Sequence, residues 1–566
     1  MEEFDIVIVG AGVFGLPVAK TYLEVHPGAR LLMLDEGQSV GGTWSQERLY
    51  DELRTNNLVG MSEFSDFPMD FETFGVAVGS HVPGAVMHKY LTAYTKHFGF
   101  FDKIRFGASV KTAEMKEDDS WVVTYDLLDT EEGERQRQEK VLAKKLVLAI
   151  GTTSKPHIPK FEGAEKFGGH FFHFKELSNR QTEMSEAENV IVIGGSKSAC
   201  DVAYLNAVNG RHVDWVIRAS GRGPAWLAEP YVSPAQLQFE KLATTRAMSF
   251  LIPSYASDGY WLIRKLLHDN PIGRAILRGF FGFIHSDILE TGRYHAHPET
   301  KKLIPPASVI WNGTSVGIFN YPKDFFEMVR KGLVDVHIED IDMLLDNGMR
   351  LANGTEIKAD VIVCATGWEN TPTLKILPAA LTDKCGLSTV PPDADIVRAA
   401  DQELMQKYPE LRDQPPAGGK IGEREREQSS WRLYRGIAPP AFIQSHNLAY
   451  NGMNVSLRGF LVGEISALWI TAFLDGKLAA VLPSEEDAAW DALLESRFYR
   501  YRSPNGLGPK YIDMVFELMP YVDQLMRDLG LNATRKRGWR ELFEFYHTPD
   551  YKGVVQEWMA KTKKVA

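Results

Sequence analysis

Three glycines, Gly10, Gly12 and Gly15, punctuate the run GAGVFG close to the start of a 566-residue chain. Glycines at these spacings suit one chemistry, the binding of a dinucleotide. The first permits a tight turn, the second lets a pyrophosphate approach the backbone, and the third lets a helix pack closely on a strand. The free N–H groups opening that helix then face the anion. Asp35 follows Gly15 by 20 residues, with Glu36 beside it, where a ribose hydroxyl calls for a carboxylate acceptor. Asp35 fits the spacing better, and either can serve.

A second turn reads Gly194, Gly195, Ser196, Lys197, Ser198, Ala199, with serine at the middle position and alanine at the last. Arg218 ends the strand that follows, with Ser220 and Arg222 just beyond it. A cation at this place recognises a 2′-phosphate, so NADPH is expected rather than NADH. Two such turns in one chain imply FAD at one and the nicotinamide at the other, with hydride passing between them.

The elements that must hold these turns are legible around them. Residues 5–9, 14–25 and 30–34 read as a strand, a helix and a strand, and residues 189–193, a helix from about 198, and 213–217 read as a second βαβ unit. Residues 121–127 and 140–150 are predicted strands, and the charged stretch 129–139 is their solvated hairpin turn. Residues 225–320 mix apolar and aromatic segments without a clean period and read as a helical insertion that walls a pocket. Residues 351–364 read as a hairpin turning at Asn353-Gly354, whose buried strand 360–364 returns the chain to the first domain. Residues 412–431 are rich in proline, glycine and charge and read as a flexible excursion, and an aromatic-rich helical tail starts near 485. The expected fold is α/β, with two Rossmann-like dinucleotide-binding domains. A discontinuous FAD domain takes 1–165 and 355–480, an NADP domain takes 166–354 including the insertion, and 481–566 form a C-terminal helical extension.

Composition agrees with a folded, multidomain protein: 44% hydrophobic and 24% charged residues, in a chain longer than one core supports. A formal charge of -11 excludes the basic face of a general nucleic-acid binder and leaves a small molecule as the partner. Cys200, Cys364 and Cys385 make no C-x-x-C pair, so neither a disulfide framework nor a dithiol centre is encoded. The start MEEFDIVIVGAG has no basic region or cleavage site of a signal peptide, and a cytoplasmic location is expected. No run reaches the roughly 18 apolar residues of a membrane span. The nearest, 459–474, is interrupted by Glu464. Residues 275–284, with their FFGF run, read as a buried helix or the wall of a lipophilic pocket, with peripheral membrane contact as the alternative. No His, Cys or carboxylate spacing matches a metal site and no G-x-S-x-G elbow occurs, so cofactor-led chemistry without a metal is expected.

Further motifs carry a resemblance. GGTW (41–44), LYDELRTNNLVGMSEFSDFP (49–68), AIGTTSKPHIP (149–159) and ATGW (365–368) resemble those of the class B flavoprotein monooxygenases, which include flavin-containing, Baeyer-Villiger and N-hydroxylating enzymes. FGGHFFHFKEL (167–177) is similar to the family's identifying motif at Phe167, Gly169 and His173 and departs from it at Leu177, where an aromatic is expected. GGSKSACDVA and IRASGRGPAW resemble fungal members that tailor secondary metabolites. The resemblance covers about residues 1–230 and 355–475.

The resemblance implies an NADPH-dependent enzyme in which O2 adds to reduced FAD at C4a, and the resulting (hydro)peroxide gives one oxygen atom to a small lipophilic substrate. It implies that Gly10, Gly12, Gly15, Asp35, Glu36, Gly42, Thr43, Trp44, Asn56, Gly151, Thr366 and Gly367 hold FAD. It assigns Gly194, Ser196, Lys197, Ser198, Ala199, Arg218 and Ser220 to NADP. Asn56 is implied to lie near the flavin and stabilise the oxygenated state, with Arg54 lining the flavin face beside it. Asparagine there tilts the reading toward N- or S-oxygenation or hydroxylation, since typical Baeyer-Villiger enzymes carry aspartate. His173, flanked by Phe171, Phe172 and Phe174, reads as a structural or linker-positioning residue and not as a general base. Baeyer-Villiger oxidation of a ketone stays open as an alternative. So do a non-oxygenating flavin oxidase or reductase and, because Ser196 and Leu177 depart from their motifs, an inactive flavin-bound scaffold.

Overall fold

A computed structural model describes residues 1–129, 135–233, 235–387, 392–415 and 430–565. The apolar run Ile6 to Val9 ends a strand, Glu2–Val9, that sits in the middle of an eight-stranded sheet. It is buried on both faces, so its side chains alternate between two cores: Ile6 and Ile8 join one, Val7 and Val9 the other. The strand pairs in parallel with Leu31–Leu34 on one side and with the end of Arg135–Leu148 on the other, and helix Gly15–Val25 joins the first two.

The second sheet has five strands, all parallel, in the order Val334–Ile338, His212–Ile217, Asn189–Ile193, Val361–Cys364, His170–His173. Its strands are short apolar runs, as a parallel sheet covered on both faces requires. Val190 and Val192 face one core, Ile191 and Ile193 another that lies under a three-stranded antiparallel layer, Ile341–Leu345, Gly348–Leu351 and Glu356–Lys358.

Two expectations need correction. The strand after the Asn353-Gly354 turn does not return to the first domain: Val361–Cys364 lies in the second sheet, bonded to Asn189–Ile193. Periodicity shows that a strand is buried but not which partner buries it. The chain re-enters the first sheet later, through Lys375–Leu377 and Leu448–Tyr450. The stretch 129–139 is not all turn, because the ladder runs out to Asp129 opposite Arg135. The residues at the turn itself, 130–134, and most of the 412–431 excursion lie outside the described residues. The C-terminal extension packs into the first core. Tyr499, Met514, Tyr521, Tyr546 and Trp558 are buried in the same core as Ile6 and Ile8.

Helix Gly459–Leu474, the longest apolar run, is buried along nearly its whole length, and Glu464 within it accepts from the Ser65 amide at 3.1 Å and hydroxyl at 2.7 Å. Among the described residues no helix is long and apolar enough to cross a membrane.

The insertion is helical, as read, and one buried cation ties it to the tail. Arg246 is 1% exposed, and its Nη2 donates to Asp523 Oδ1 at 2.8 Å and to the Ala533 carbonyl at 3.0 Å. Its Nη1 and Nε bond Asp523 and Glu541, and Tyr546 Oη donates to Glu541 Oε2 at 2.6 Å. Removing the guanidinium strands two buried carboxylates, an event that costs about 3–5 kcal/mol. Arg246→Met is therefore expected to lower the urea midpoint of unfolding markedly. An unchanged midpoint would show that insertion and tail are not coupled through this cluster.

Candidate functional site

The two glycine turns are built alike, at the carboxyl edges of the two sheets. In the first, Gly10 N donates to Leu34 O at 2.8 Å and Ala149 N donates to Val9 O at 2.8 Å. In the second, Gly194 N donates to Val216 O at 3.0 Å and Ala365 N to Ile193 O at 2.8 Å. Each leading glycine has positive φ, +108° for Gly10 and +139° for Gly194. A Cβ on either would lie 2.2 Å from the carbonyl oxygen of the alanine that follows the neighbouring strand, Ala149 or Ala365. Only glycine fits. A Cβ on Gly15 would meet Gly10 O at 1.9 Å, which explains the third glycine of the first motif.

Gly12 is different. A Cβ there would make ordinary contact with Gly42 Cα at 3.6 Å, so protein packing does not require the missing side chain. The bare backbone at Gly12, facing Gly41 and Gly42 across an isolated bridge, is what a diphosphate needs to come close. No side chain caps the helices Gly15–Val25 or Lys197–Val208. Gly15 N and Leu16 N donate to Gly12 O at 3.0 and 3.1 Å and Ala199 N to Ser196 O at 3.0 Å, so each glycine turn closes directly onto the positive end of its helix. These residues fit FAD at the first turn and a nicotinamide dinucleotide at the second. Thr43 and Trp44 follow in a short 3₁₀ turn, Gly42–Trp44, with the Thr43 hydroxyl 3.1 Å from that of Thr153. Gly151, at φ +68°, opens the segment that carries Thr153.

Several of these residues are also engaged within the protein. Both Asp35 oxygens are engaged within the turn: Oδ2 accepts from Ala11 N at 2.6 Å and Oδ1 from Gly37 N at 2.8 Å. Burial pushes the Asp35 carboxyl up, and these two amides pull it back. Asp35 thus braces the glycine turn, and the exposed carboxylate at the strand end is Glu36, 3.7 Å from Lys175 Nζ. Lys197, expected at the NADP phosphates, is mostly buried. Its ammonium bonds Asp201, donates to Asn320 Oδ1 at 2.9 Å and lies 4.4 Å from the Tyr321 ring centre. The Ser220 hydroxyl donates to Asp340 at 2.6 Å and Arg222 donates to Gly506 O, while Arg218 is exposed. Ser196 is exposed at the cap of its helix, Ser198 is half-buried and Ala199 is fully buried. Thr366 and Gly367 follow the second sheet's strand rather than the first's, and they tie back to the linker from the first domain. Thr366 Oγ1 donates to His157 O at 2.5 Å, and His157 N donates to Gly367 O at 3.0 Å.

Asn56 lies on strand Arg54–Leu58. Alternation turns Thr55 and Asn57 inward and leaves Asn56 exposed, and among the described residues its side chain makes no hydrogen bond. The strand around it is held firmly. Asn320 Nδ2 donates to Arg54 O at 3.1 Å, so one amide joins this strand to Lys197 of the second turn. Asn57 Nδ2 donates to Leu457 O at 2.7 Å and to Glu240, and Leu58 N donates to Glu240 Oε2 at 3.3 Å. Burial pushes the Glu240 carboxyl up to about 7. Arg54 itself reaches Glu52 at 3.5 Å. Asn320 and Glu240 come from the insertion, 264 and 184 residues beyond Asn56, and no local pattern marks either.

His173 is fully buried. Its Nε2 donates to Gly367 O at 3.0 Å, its Nδ1 accepts from Lys175 N at 3.2 Å, and Phe174 and Trp368 pack on its ring. Away from both turns, the fold gathers His212, Asp214 and Asp335, with ligand atoms within 4.8 Å of one another. Their positions, 123 residues apart at the extremes from His212 to Asp335, gave no metal spacing in the chain. His337 Nε2 also lies 2.7 Å from Asp214 Oδ1, away from the end of strand His212–Ile217 that Arg218 follows.

Two dinucleotide turns on separate sheets, one mixed and one parallel, with a buried asparagine tying strand Arg54–Leu58 to the second turn, define a two-domain flavin- and nicotinamide-dependent oxidoreductase. A flavin-binding monooxygenase-like family model matches residues 4–268. The FAD-dependent monooxygenase rstn6 of Aspergillus nomiae is 32% identical over 590 positions, covering 98% of this chain and 98% of its own. The fold is shared with cyclohexanone monooxygenase in its cyclohexanone-bound form, at a TM-score of 0.60 and 16% identity, over 94% of this chain and 99% of that one. A steroid monooxygenase bound to NADP gives 0.57 and 17%, over 99% and 98%. The chain belongs to the class B flavoprotein monooxygenases, and its cofactors are FAD and NADPH.

The environment of His173 makes a pH prediction. Burial lowers its pKa from 6.5 to about 4, so between those values the unfolded chain binds the proton more readily. Its contribution to stability is complete above the ordinary value and is lost as pH falls toward the lowered one. His173→Gln keeps a donor for Gly367 and cannot titrate. Melting temperature is therefore expected to fall less steeply on acidification in the variant than in the parent, and parallel curves would remove His173 from the linker's acid sensitivity.

Proposed function

We propose that this monooxygenase transfers one oxygen atom from O2 to a nitrogen, a sulfur or a carbon of a small lipophilic metabolite of fungal-type secondary metabolism. Bound FAD, once reduced by NADPH, supplies the electrons that split O2. The first turn holds the FAD diphosphate at Gly12 and the helix start, Gly42, Thr43 and Trp44 flank it, and Asp35, which keeps free lone pairs beside its two amide bonds, accepts from the ribose with Glu36 next to it. At the second turn, Gly194, Ser196 and Ser198 open the helix to the NADPH diphosphate. The exposed Arg218 guanidinium holds the 2′-phosphate, as a charge-assisted contact available only to NADPH.

The observation that carries the reading is the Asn56 amide, exposed and without a protein partner among the described residues, on a strand otherwise fixed by Asn320 and Glu240. An amide held rigidly in a site that closes over its ligands donates to developing negative charge without reorganising, which is worth more in a dry pocket than in water. A neutral amide leaves a proton on the reacting oxygen in place, and that favours attack by a soft nucleophile such as an amine or sulfide.

Two substitutions test the assignments. Arg218→Ala is expected to raise KM for NADPH by about 10- to 100-fold and leave KM for NADH nearly unchanged. Equal effects on both coenzymes would show that the cation is elsewhere. Asn56→Ala should retain FAD and oxidise NADPH, yet divert the electrons to H2O2, with oxygenated product per NADPH falling about tenfold or more. The reaction type is read by mass spectrometry with 18-labelled O2 and amine, sulfide and ketone substrates. Label in an N-oxide, S-oxide or alcohol supports the proposal, an ester or lactone replaces it with Baeyer-Villiger chemistry, and H2O2 alone replaces it with an oxidase.

A further inference from the structure

Helices Trp261–His268 and Pro271–Thr291 form a hairpin within the insertion, with Asn270 capping the second helix by accepting from Gly273 N at 2.8 Å. Its root is well fixed. Arg264 pairs with Asp258, and His268 Nε2 bonds Phe250 O at 3.0 Å. The long helix is apolar on two opposite sides. Leu277, Phe281, Ile284 and Ile288 are buried against the body of the protein. Ile272, Ile276 and Phe283, at spacings of four and seven, line the opposite side and are exposed. The shorter helix adds Trp261, Leu262, Ile263 and Leu266, all exposed. Seven of the nineteen exposed large hydrophobic side chains among the described residues thus fall between 261 and 283. Scattered exposed hydrophobics are ordinary, but a contiguous patch of this kind has a partner.

Charge identifies the partner. The chain as a whole is acidic, at -11, yet the outer part of this hairpin carries Lys265 and Arg278 exposed and Arg274 half-exposed, against Asp269 at the turn, while Asp287, which accepts from Ser233 N at 3.3 Å, and Glu290 stand at the far end. An apolar helical face bordered by tryptophan and basic side chains is the composition that settles into the headgroup region of an anionic bilayer. A second copy of the chain docking on this patch would bring the three cations against their own images. We propose that the hairpin 261–291 is a peripheral membrane-docking element, with Trp261, Leu262, Leu266, Ile272 and Ile276 entering the acyl boundary and Lys265, Arg274 and Arg278 meeting anionic headgroups. The surface is independent of the reaction proposed above.

Sedimentation of the FAD-loaded enzyme with lipid vesicles tests it. The enzyme is expected to pellet with vesicles of equimolar phosphatidylcholine and phosphatidylserine, to pellet less with phosphatidylcholine alone, and to be released by salt. The double variant Leu262→Glu/Ile276→Glu should lose binding on the order of tenfold while keeping its flavin absorbance and its rate of NADPH oxidation. Parent enzyme left in the supernatant with both lipids overturns the proposal. So does a double variant that binds like the parent, which would reduce the contact to charge alone. A dimer by light scattering that the double variant dissociates would give the patch to a second copy and overturn it equally.

Discussion

The contact on which the site depends is the approach of a glycine Cα to an alanine carbonyl, made twice. Gly10 against Ala149 and Gly194 against Ala365 leave no room for a side chain, and each draws the end of one strand across to the next. That approach sets the turn, the turn sets the direction of the helix, and the helix start faces the phosphate. Asp35 is part of this device, since its two oxygens hold the amides on either side of the crossing. The same construction on two sheets is what makes the chain a two-cofactor enzyme.

Two such turns produce chemistry only if they are held at a fixed relation, and a handful of buried polar residues do this. Asn320 takes the Lys197 ammonium on its oxygen and gives its N–H groups to the backbone beside Asn56. A lysine that spacing would place on a phosphate is instead spent inside the protein, among Asp201, Asn320 and Tyr321. Glu240 performs the matching task on the other side of the strand. The insertion is thereby part of the site's framework at its base and bare toward solvent at its hairpin. Its base is further clamped by Arg246 to the tail, and the tail shares the core of the first strand. A side chain in any of these layers is therefore felt at Asn56 through packed or bonded neighbours rather than through contact with a ligand.

The chain by itself determined the parts whose cause is local. Glycine spacing, apolar runs of strand length and the Asn353-Gly354 turn follow from backbone sterics and from side-chain periodicity over a few residues, and the two βαβ units, the helical insertion and the family motifs were legible for that reason. Partnership was not. Which sheet receives Val361–Cys364, that Asp35 braces the glycine turn, where Lys197 turns, and that His212 meets Asp335 are decided by groups more than a hundred residues away or by two backbone amides that only the folded turn brings into reach. A carboxylate's spacing from a glycine is the same whether its oxygens are satisfied or not, and burial reads the same for any partner. Tertiary structure alone closes those hydrogen bonds, and through them it chose which residues remain open to the cofactors.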